Sequence, residues 1–257
     1  MKTMEAVRIE MAGDMTSFRY PHFLVGRQPS YPVPPPSTIY GHICSAFGKY
    51  VDPVGLYFAY AFTAAGRGDD LENIYIITVG SRKPTRNWHE PENLQLLLQP
   101  TSRELLLKPT MILYVTGGPG LQELLDAFRS PKYAVILGRS QDLMSYRKVE
   151  KVTLTEGERG YFENTILPLE AGFRTTAGIT YRLPRYIEPE NRRNVHWGDY
   201  IVIRGRVRTA EKSGPTTFEV RPGEKFWVDP ESPEMEEDLH RIVAWQGFVG
   251  EMAINAS

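Results

Sequence analysis

Cysteine is almost absent: Cys44 is the only one in 257 residues. A single thiol excludes an internal disulfide and any cysteine-cluster metal site, and it suits a reducing compartment, so a cytoplasmic location is expected. Long apolar runs are missing as well. Nothing approaches the ~18 consecutive apolar residues of a membrane-spanning helix. The opening MKTMEAVRIEMAG carries no apolar signal-peptide core before its charges return, so neither a membrane partner nor secretion is expected. Enzymatic signatures are equally scarce. There is no Walker sequence, no HExxH, no GxSxG and no metal-ligand spacing, so no cofactor and no metal are expected. GGPG at Gly117–Gly120 lacks the Lys-Ser/Thr of a nucleotide loop and reads as a turn.

Excess charge is lacking too. The net charge of −1 argues against indiscriminate nucleic-acid binding. Its distribution is less even: Tyr181–Thr209 holds seven arginines against Glu188, Glu190 and Asp199, whereas the residues beyond Ala210 hold ten acids against four bases. A basic face opposed by an acidic one and plain solvated surface are both compatible with that pattern. Hydrophobic content of 41% and charged content of 24% are those of an ordinary globular chain, long enough to bury a large core.

What is present is a sequence of alternating periods. Val7, Ile9 and Met11 alternate with Arg8 and Glu10 and predict a strand over Glu5–Met11. A polar, proline-rich passage leads to Ser37, a candidate N-cap, after which Ile39, Ile43, Ala46, Phe47 and Tyr50 recur at helical spacing. Gly41, Cys44, Ser45 and Gly48 form a second, small-residue face suited to tight packing on a sheet or to ligand contact. Strand patterns follow at Leu56–Ala64, Asn73–Val79 and Met111–Val115, a short helix at Leu121–Phe128, and a strand at Tyr133–Leu137. The order βαββαβ predicts an α+β, ferredoxin-like (RRM-like) palm over residues 1–149, with helices on one sheet face. Residues 150–257 read as a β-rich C-terminal extension or small second domain, with strands at Lys151–Thr155, Ile179–Leu183, Tyr200–Val207 and Lys225–Val228.

Two stretches carry chemistry. Three prolines before Ser37 hold the approach to the first helix with preset φ angles. That fits either a packing corner or a helix N-terminus kept open for a phosphate, with Ser37, Tyr40 and His42 adding donors. The irregular Ser81–Pro109 excursion supplies Arg82, Lys83 and Arg86 for phosphates and Trp88 and His89 for stacking on bases, or is a surface loop. His196-Trp197 beside Arg192-Arg193 reads as packing more readily than as a contact.

YPVPPPSTIYGHICSAFG at Tyr31–Gly48 closely resembles the N-terminal signature of the CRISPR-associated Cas-five family of the RAMP superfamily, in which a Pro-rich segment runs through Pro-Ser-Thr into a helix bearing Tyr-Gly. LGRSQDL at Leu137–Leu143 resembles the Gly-Arg loop that the family places after its last palm strand. The resemblance is specific over residues 4–48 and 133–143, extends between them, is weak after about residue 150, and is strongest toward type I-B-like systems. It implies a non-catalytic subunit of a type I surveillance complex (Cascade) that holds the five-prime handle of the CRISPR RNA in antiviral defence. It also implies contact with the backbone and large subunits, indirect contact with target DNA, and a β-hairpin thumb inserted at about 81–109. The residues expected to bind RNA are Arg27, Tyr31, Ser37, Tyr40, His42, Arg82, Lys83, Arg86, Trp88, Arg139, Ser140 and Arg147. Arg139 and Ser140 are expected near the open sheet face.

One branch of the family cuts precursor RNA with a Tyr, Lys and His constellation, so a metal-independent endoribonuclease is the alternative. Of the five histidines none adjoins a lysine, and Tyr40 and His42 face different ways on a helix. No catalytic residue is assigned. A third possibility is a protein scaffold that docks through the acidic Glu234–Asp238 segment.

Overall fold

The alternation at the N-terminus becomes strand β1 (Thr3–Gly13), with Val7, Ile9 and Met11 toward one core and Ala6 toward another. The computed structural model describes residues 2–23, 26–79, 94–236, 238–250 and 253–254. Short strands β2 (Met15–Thr16) and β3 (Arg27–Gln28) precede helix α1 (Pro36–Phe47). Then come β4 (Leu56–Thr63), β5 (Gly66–Val79), β6 (Leu94–Leu107), β7 (Thr110–Gly117), α2 (Leu121–Arg129) and β8 (Met144–Gly157). Beyond these lie β9 (Tyr161–Glu163), β10 (Ile166–Pro168), a 3-10 turn (Leu169–Arg174), β11 (Gly178–Ile187) and β12 (Val195–Ile203). The remaining strands are β13 (Arg206–Ala210), β14 (Thr217–Glu219), β15 (Phe226–Asp229), β16 (Arg241–Ile242), β17 (Trp245–Gly247) and β18 (Ala253–Ile254).

The architecture is mixed and dominated by sheet. At its centre β8, β1, β7 and β4 are successive neighbours, every pairing antiparallel, with α1 linking β1 to β4 and α2 linking β7 to β8. Both helices pack on the Ile9 face, where Ile39, Ile43, Leu124 and Phe128 are fully buried. A separate three-stranded sheet, β10-β12-β11, covers α1 from its other side.

Several expectations are corrected. Tyr133–Leu137 forms only a single bridge, Ile136 to Leu143, and the strand of the central sheet that follows α2 begins at Met144. The run is broken by Gly138, whose φ of +103° belongs to a turn. Asn73–Val79 is not a strand of the central sheet but the end of β5, which pairs with β6 from Gly66↔Leu107 to Val79↔Leu94. The insertion between β4 and β7 is therefore a hairpin that begins at Gly66, not at Ser81; residues 80–93 lie outside the described part of the chain. Finally, the N-cap is Pro35 (φ −58°, ψ 150°), and Ser37 lies one residue inside the helix. Pro36 suits the first helical position because its missing N–H would be unpaired there anyway. Gly48, left-handed at φ 71°, ends α1, which leaves Tyr50 outside the helix and 58% exposed.

The expected open sheet face is closed. From β16 to β17 the chain passes six strand spacings along the sheet, about 29 Å at ~4.8 Å each. Yet only Val243 and Ala244 separate the two strands, and such a link reaches about 11 Å. The sheet must curl until its flanks meet. Inside the curl Ala6, Ala59, Tyr114, Val152 and Leu154 pack against Trp227, Val243 and Trp245. Two alanines on the central strands make room for two indoles brought from the flanks.

A buried ionic chain spans the same face. Arg8 on β1 donates to Asp229 at 2.8 Å, to Glu231 at 2.9 Å and through Nε to Glu150 at 3.0 Å. Tyr114 donates to Asp229 at 2.6 Å and accepts from Arg241 at 3.2 Å, and Arg241 in turn holds Glu163. The central strands are thus tied to β9, β15 and β16. Asp229→Ala leaves the Arg8 guanidinium and the Tyr114 hydroxyl short of a buried acceptor. Urea unfolding should show a loss of about 3 kcal/mol; a loss indistinguishable from zero would mean that the chain adds nothing to closure.

Candidate nucleic-acid interface

Segments far apart in sequence meet at one groove of about 420 Å³. The turn after β2 contributes Arg19, the first turn of α1 contributes Ser37 and Thr38, and the loop before β8 contributes Arg139. Arg103 from β6 and Trp197 from β12 complete it. A cavity of about 470 Å³ among Phe162, Phe226, Trp227 and Trp245 lies elsewhere, and its Arg174 is already bound by Glu224.

The Gly138–Asp142 loop is built around one carboxylate. Asp142 is fully buried and accepts from the Arg139 N–H at 2.8 Å, the Ser17 N–H at 3.2 Å, and Arg139 Nη2 at 2.8 Å. A Cβ on Gly138 would stand 2.5 Å from Thr16 Oγ1 and 2.8 Å from the Ser17 carbonyl, so space and φ both demand glycine. Arg139 Nη1 also donates to Glu72, whose other oxygen accepts from Arg103 Nε at 2.6 Å. Burial raises the Glu72 pKa, but the two arginines outweigh it and hold the carboxyl below its ordinary range.

The helix end is leaner than expected. Pro36 has no N–H, and the Thr38 and Ile39 amides both donate to the Pro35 carbonyl, at 2.9 and 3.2 Å. That leaves the Ser37 N–H and hydroxyl, with the α1 dipole behind them and no acidic residue in the first turn. Arg19 is exposed and forms no ion pair with the described residues. Beside the groove, His22 stacks on Trp197, with ring centroids 5.8 Å apart and planes at 17°. The groove thus offers a free guanidinium, a hydroxyl, an aromatic plane and two arginines already bound by carboxylates.

Of the expected residues, the structure brings Ser37 and Arg139 together in this groove, with Ser140 exposed on the adjoining turn. Arg27 sits on the hairpin side, paired with Asp69 at 3.3 Å, and Arg147 opens into a separate cleft beside Glu10, Glu163 and Arg241. Arg82, Lys83, Arg86 and Trp88, with His89, lie outside the described residues.

Three residues are corrected. Tyr31 is 2% exposed and stacked on Tyr20 at 3.7 Å, its hydroxyl pKa pushed up to about 12 by burial. Tyr40 is buried against Tyr186 and Phe248 and donates to the Val51 carbonyl at 2.6 Å. His42 is buried beneath α2, Nδ1 at 2.8 Å from the Ile136 carbonyl and Nε2 at 2.8 Å from the Tyr146 hydroxyl. An N–H on Nδ1 and a lone pair on Nε2 satisfy both bonds in the neutral ring. All three side chains are buried within the fold rather than presented on its surface. Tyr31 precedes α1, and Tyr40 and His42 point to different sides of it: Tyr40 is covered by Tyr186 of the second sheet, His42 by Phe128 of α2 and Tyr146 of β8, long-range contacts that helical spacing does not reveal. Arg19, Arg103, Glu72 and Asp142 were missed because no local pattern distinguishes them. The sequence around Trp197, with Arg192 and Arg193 nearby, reads as packing, whereas the structure places Trp197 on the groove wall.

Burial lowers the His42 pKa, more than the Ile136 carbonyl raises it. The unfolded chain then takes up the proton first, and stability is lost as pH falls through about 6.5, the unfolded value. His42→Asn retains a donor for Ile136 and removes the titration. The urea midpoint of the wild type should fall more steeply than that of the variant between about pH 7 and pH 5; parallel profiles would rule out His42 as the source.

A family model described as "CRISPR-associated protein (Cas_Cas5)" matches residues 6–211. Among solved structures, one described as "CRISPR RNA-guided surveillance complex" is similar with a TM-score of 0.48 and 19% identity, over 81% of this chain and 92% of that one. A second, "Crystal structure of a CRISPR protein from Archaeoglobus fulgidus", has a TM-score of 0.45 and 12% identity, over 93% and 98% of the two chains. A third, "Crystal structure of Cas protein", has a TM-score of 0.35 and 13% identity, over 78% and 98%. None of the curated proteins compared with the chain matches it. With most of its length, including every segment that meets in the groove, inside the matched region, the chain belongs to the CRISPR-associated Cas5 family.

Proposed function

We propose that this protein is a non-catalytic subunit of a type I, I-B-like CRISPR surveillance complex (Cascade), where it binds the five-prime handle of the CRISPR RNA and caps that end of the assembly. The observation that carries this reading is the convergence of Ser37 and Arg139 on one groove with Arg19 and Trp197. A phosphate would take the Ser37 donors and the Arg19 guanidinium, while a splayed base would stack on Trp197. The β8-β1-β7-β4 sheet is read as a ferredoxin-like palm and the β5–β6 hairpin as its thumb. The palm up to residue 149 and the extension beyond it share strand β8. Backbone and large subunits, and target DNA through them, are the partners of such a subunit, in the cytoplasm. The non-catalytic reading is supported by the burial of His42, which keeps it from any ribose hydroxyl outside the fold.

Fluorescence anisotropy with labelled CRISPR-repeat RNA, in EDTA and across a salt series, tests this. Binding should weaken linearly in log–log form as salt rises. Trp197→Ala should cost about 1–3 kcal/mol, and Arg19→Ala should weaken binding and flatten the salt slope by about 0.7. Affinity untouched by both substitutions would remove RNA from the groove. A discrete cleavage product would make the protein a nuclease.

A further inference from the structure

The two arginines on the groove wall are not free, and their counter-ions differ in kind. Asp142 is fully buried and bonded to the backbone N–H groups of Ser17 and Arg139, so it belongs to the loop's own construction. Glu72 is 20% exposed at its side chain and, among the described residues, has only guanidinium partners, Arg103 and Arg139, themselves 9% and 12% exposed. From β5 it meets Arg103 on the paired strand β6 of the same hairpin and reaches across to Arg139 in the loop before β8.

Removing Glu72 would leave one net positive charge on two largely desolvated guanidiniums, a state that requires an anion. A phosphodiester presents two anionic oxygens in much the same geometry as a carboxylate, and guanidinium forks fit both. We infer that Arg103 and Arg139 form a phosphodiester subsite and that Glu72 occupies it in the free protein as an internal stand-in. The inference rests on the groove being the RNA site and adds how that site selects. A polyanion at the mouth of the groove meets Arg19 first, whereas a strand seated deep enough to displace Glu72 gains two further forks. The same displacement unfastens the hairpin arm from the 138–142 loop.

Anisotropy with labelled single-stranded RNA, of CRISPR-repeat and of unrelated sequence, tests this on wild type, Glu72→Gln and Arg19→Ala. Glu72→Gln removes the charge and keeps the shape. It should bind both RNAs about threefold or more tightly at low salt, with the unrelated RNA gaining more and the salt slope steeper by about 0.7 per phosphate engaged. If Arg19→Ala weakens wild-type binding but folded Glu72→Gln binds no better, the stand-in role is overturned and the groove remains the RNA site. If Arg19→Ala changes nothing, the RNA reading of the groove falls and the stand-in with it. Should Glu72→Gln not fold, wild type is titrated with pyrophosphate while the Nε–H signals of Arg103 and Arg139 are followed by NMR. Both should shift; unmoved signals overturn the inference.

Discussion

Everything else in this fold depends on the closure of one sheet upon itself. Val243 and Ala244 cannot span a flat sheet, so the flanks must meet, and they meet over Ala6, Ala59 and Tyr114. Closure buries Arg8, which is tolerable because three carboxylates from β8, β15 and the turn after it converge on that side chain. An arginine in the middle of a central strand is therefore compensated by the flanks, and the flanks are held in register by that arginine. Apolar packing supplies the driving force here, and the ionic chain restricts which strand can lie where.

Closure also decides where a ligand can bind. With the inner face filled by indoles and the outer face covered by α1 and α2, neither surface of the central sheet remains as a platform. What remains is an edge, where the turn after β2, the start of α1, the Gly138 loop and the β11–β12 hairpin come together. Its electrostatics are graded. Arg19 is open to solvent, while Arg103 and Arg139 are held by carboxylates, so the outer part of the groove attracts an anion and the deeper part accepts only one that can replace a bound acid.

Much of the central sheet and its two helices was legible in the sequence because they follow simple periods. Val7–Met11 alternates, Leu121–Phe128 repeats at helical spacing, and both resulting elements stand where those periods put them. The Tyr133–Leu137 run misled because an apolar pentapeptide reads as a strand, yet a glycine with positive φ and a buried Asp142 turn it aside. The hairpin was placed too late because Gly66–Asp70 looks like a turn and serves as a strand only through its pairing with β6. The site was half legible. Ser37 and Arg139 lay in motifs whose approach to a helix or a loop is visible locally, whereas Tyr40 and His42 shared the same motif and were buried by strands more than a hundred residues later in the chain. Arg19, Arg103 and Trp197 acquire meaning only from tertiary proximity, which no local pattern encodes.

The cover over α1 has a consequence for how the chain folds. Tyr40 packs on Tyr186 and Phe248, and β4 pairs with β17, so some of the first elements made are completed by some of the last. Contacts of such sequence separation form late and slowly, since a long loop must close before they stabilise anything. Until Trp245 and Phe248 arrive, the sheet edge at β4 and one aromatic face of α1 are exposed on the emerging chain. Synthesis of this protein thus passes through a stage with an unpaired strand and bare aromatic surface, the kind of surface that chaperones hold and aggregates share.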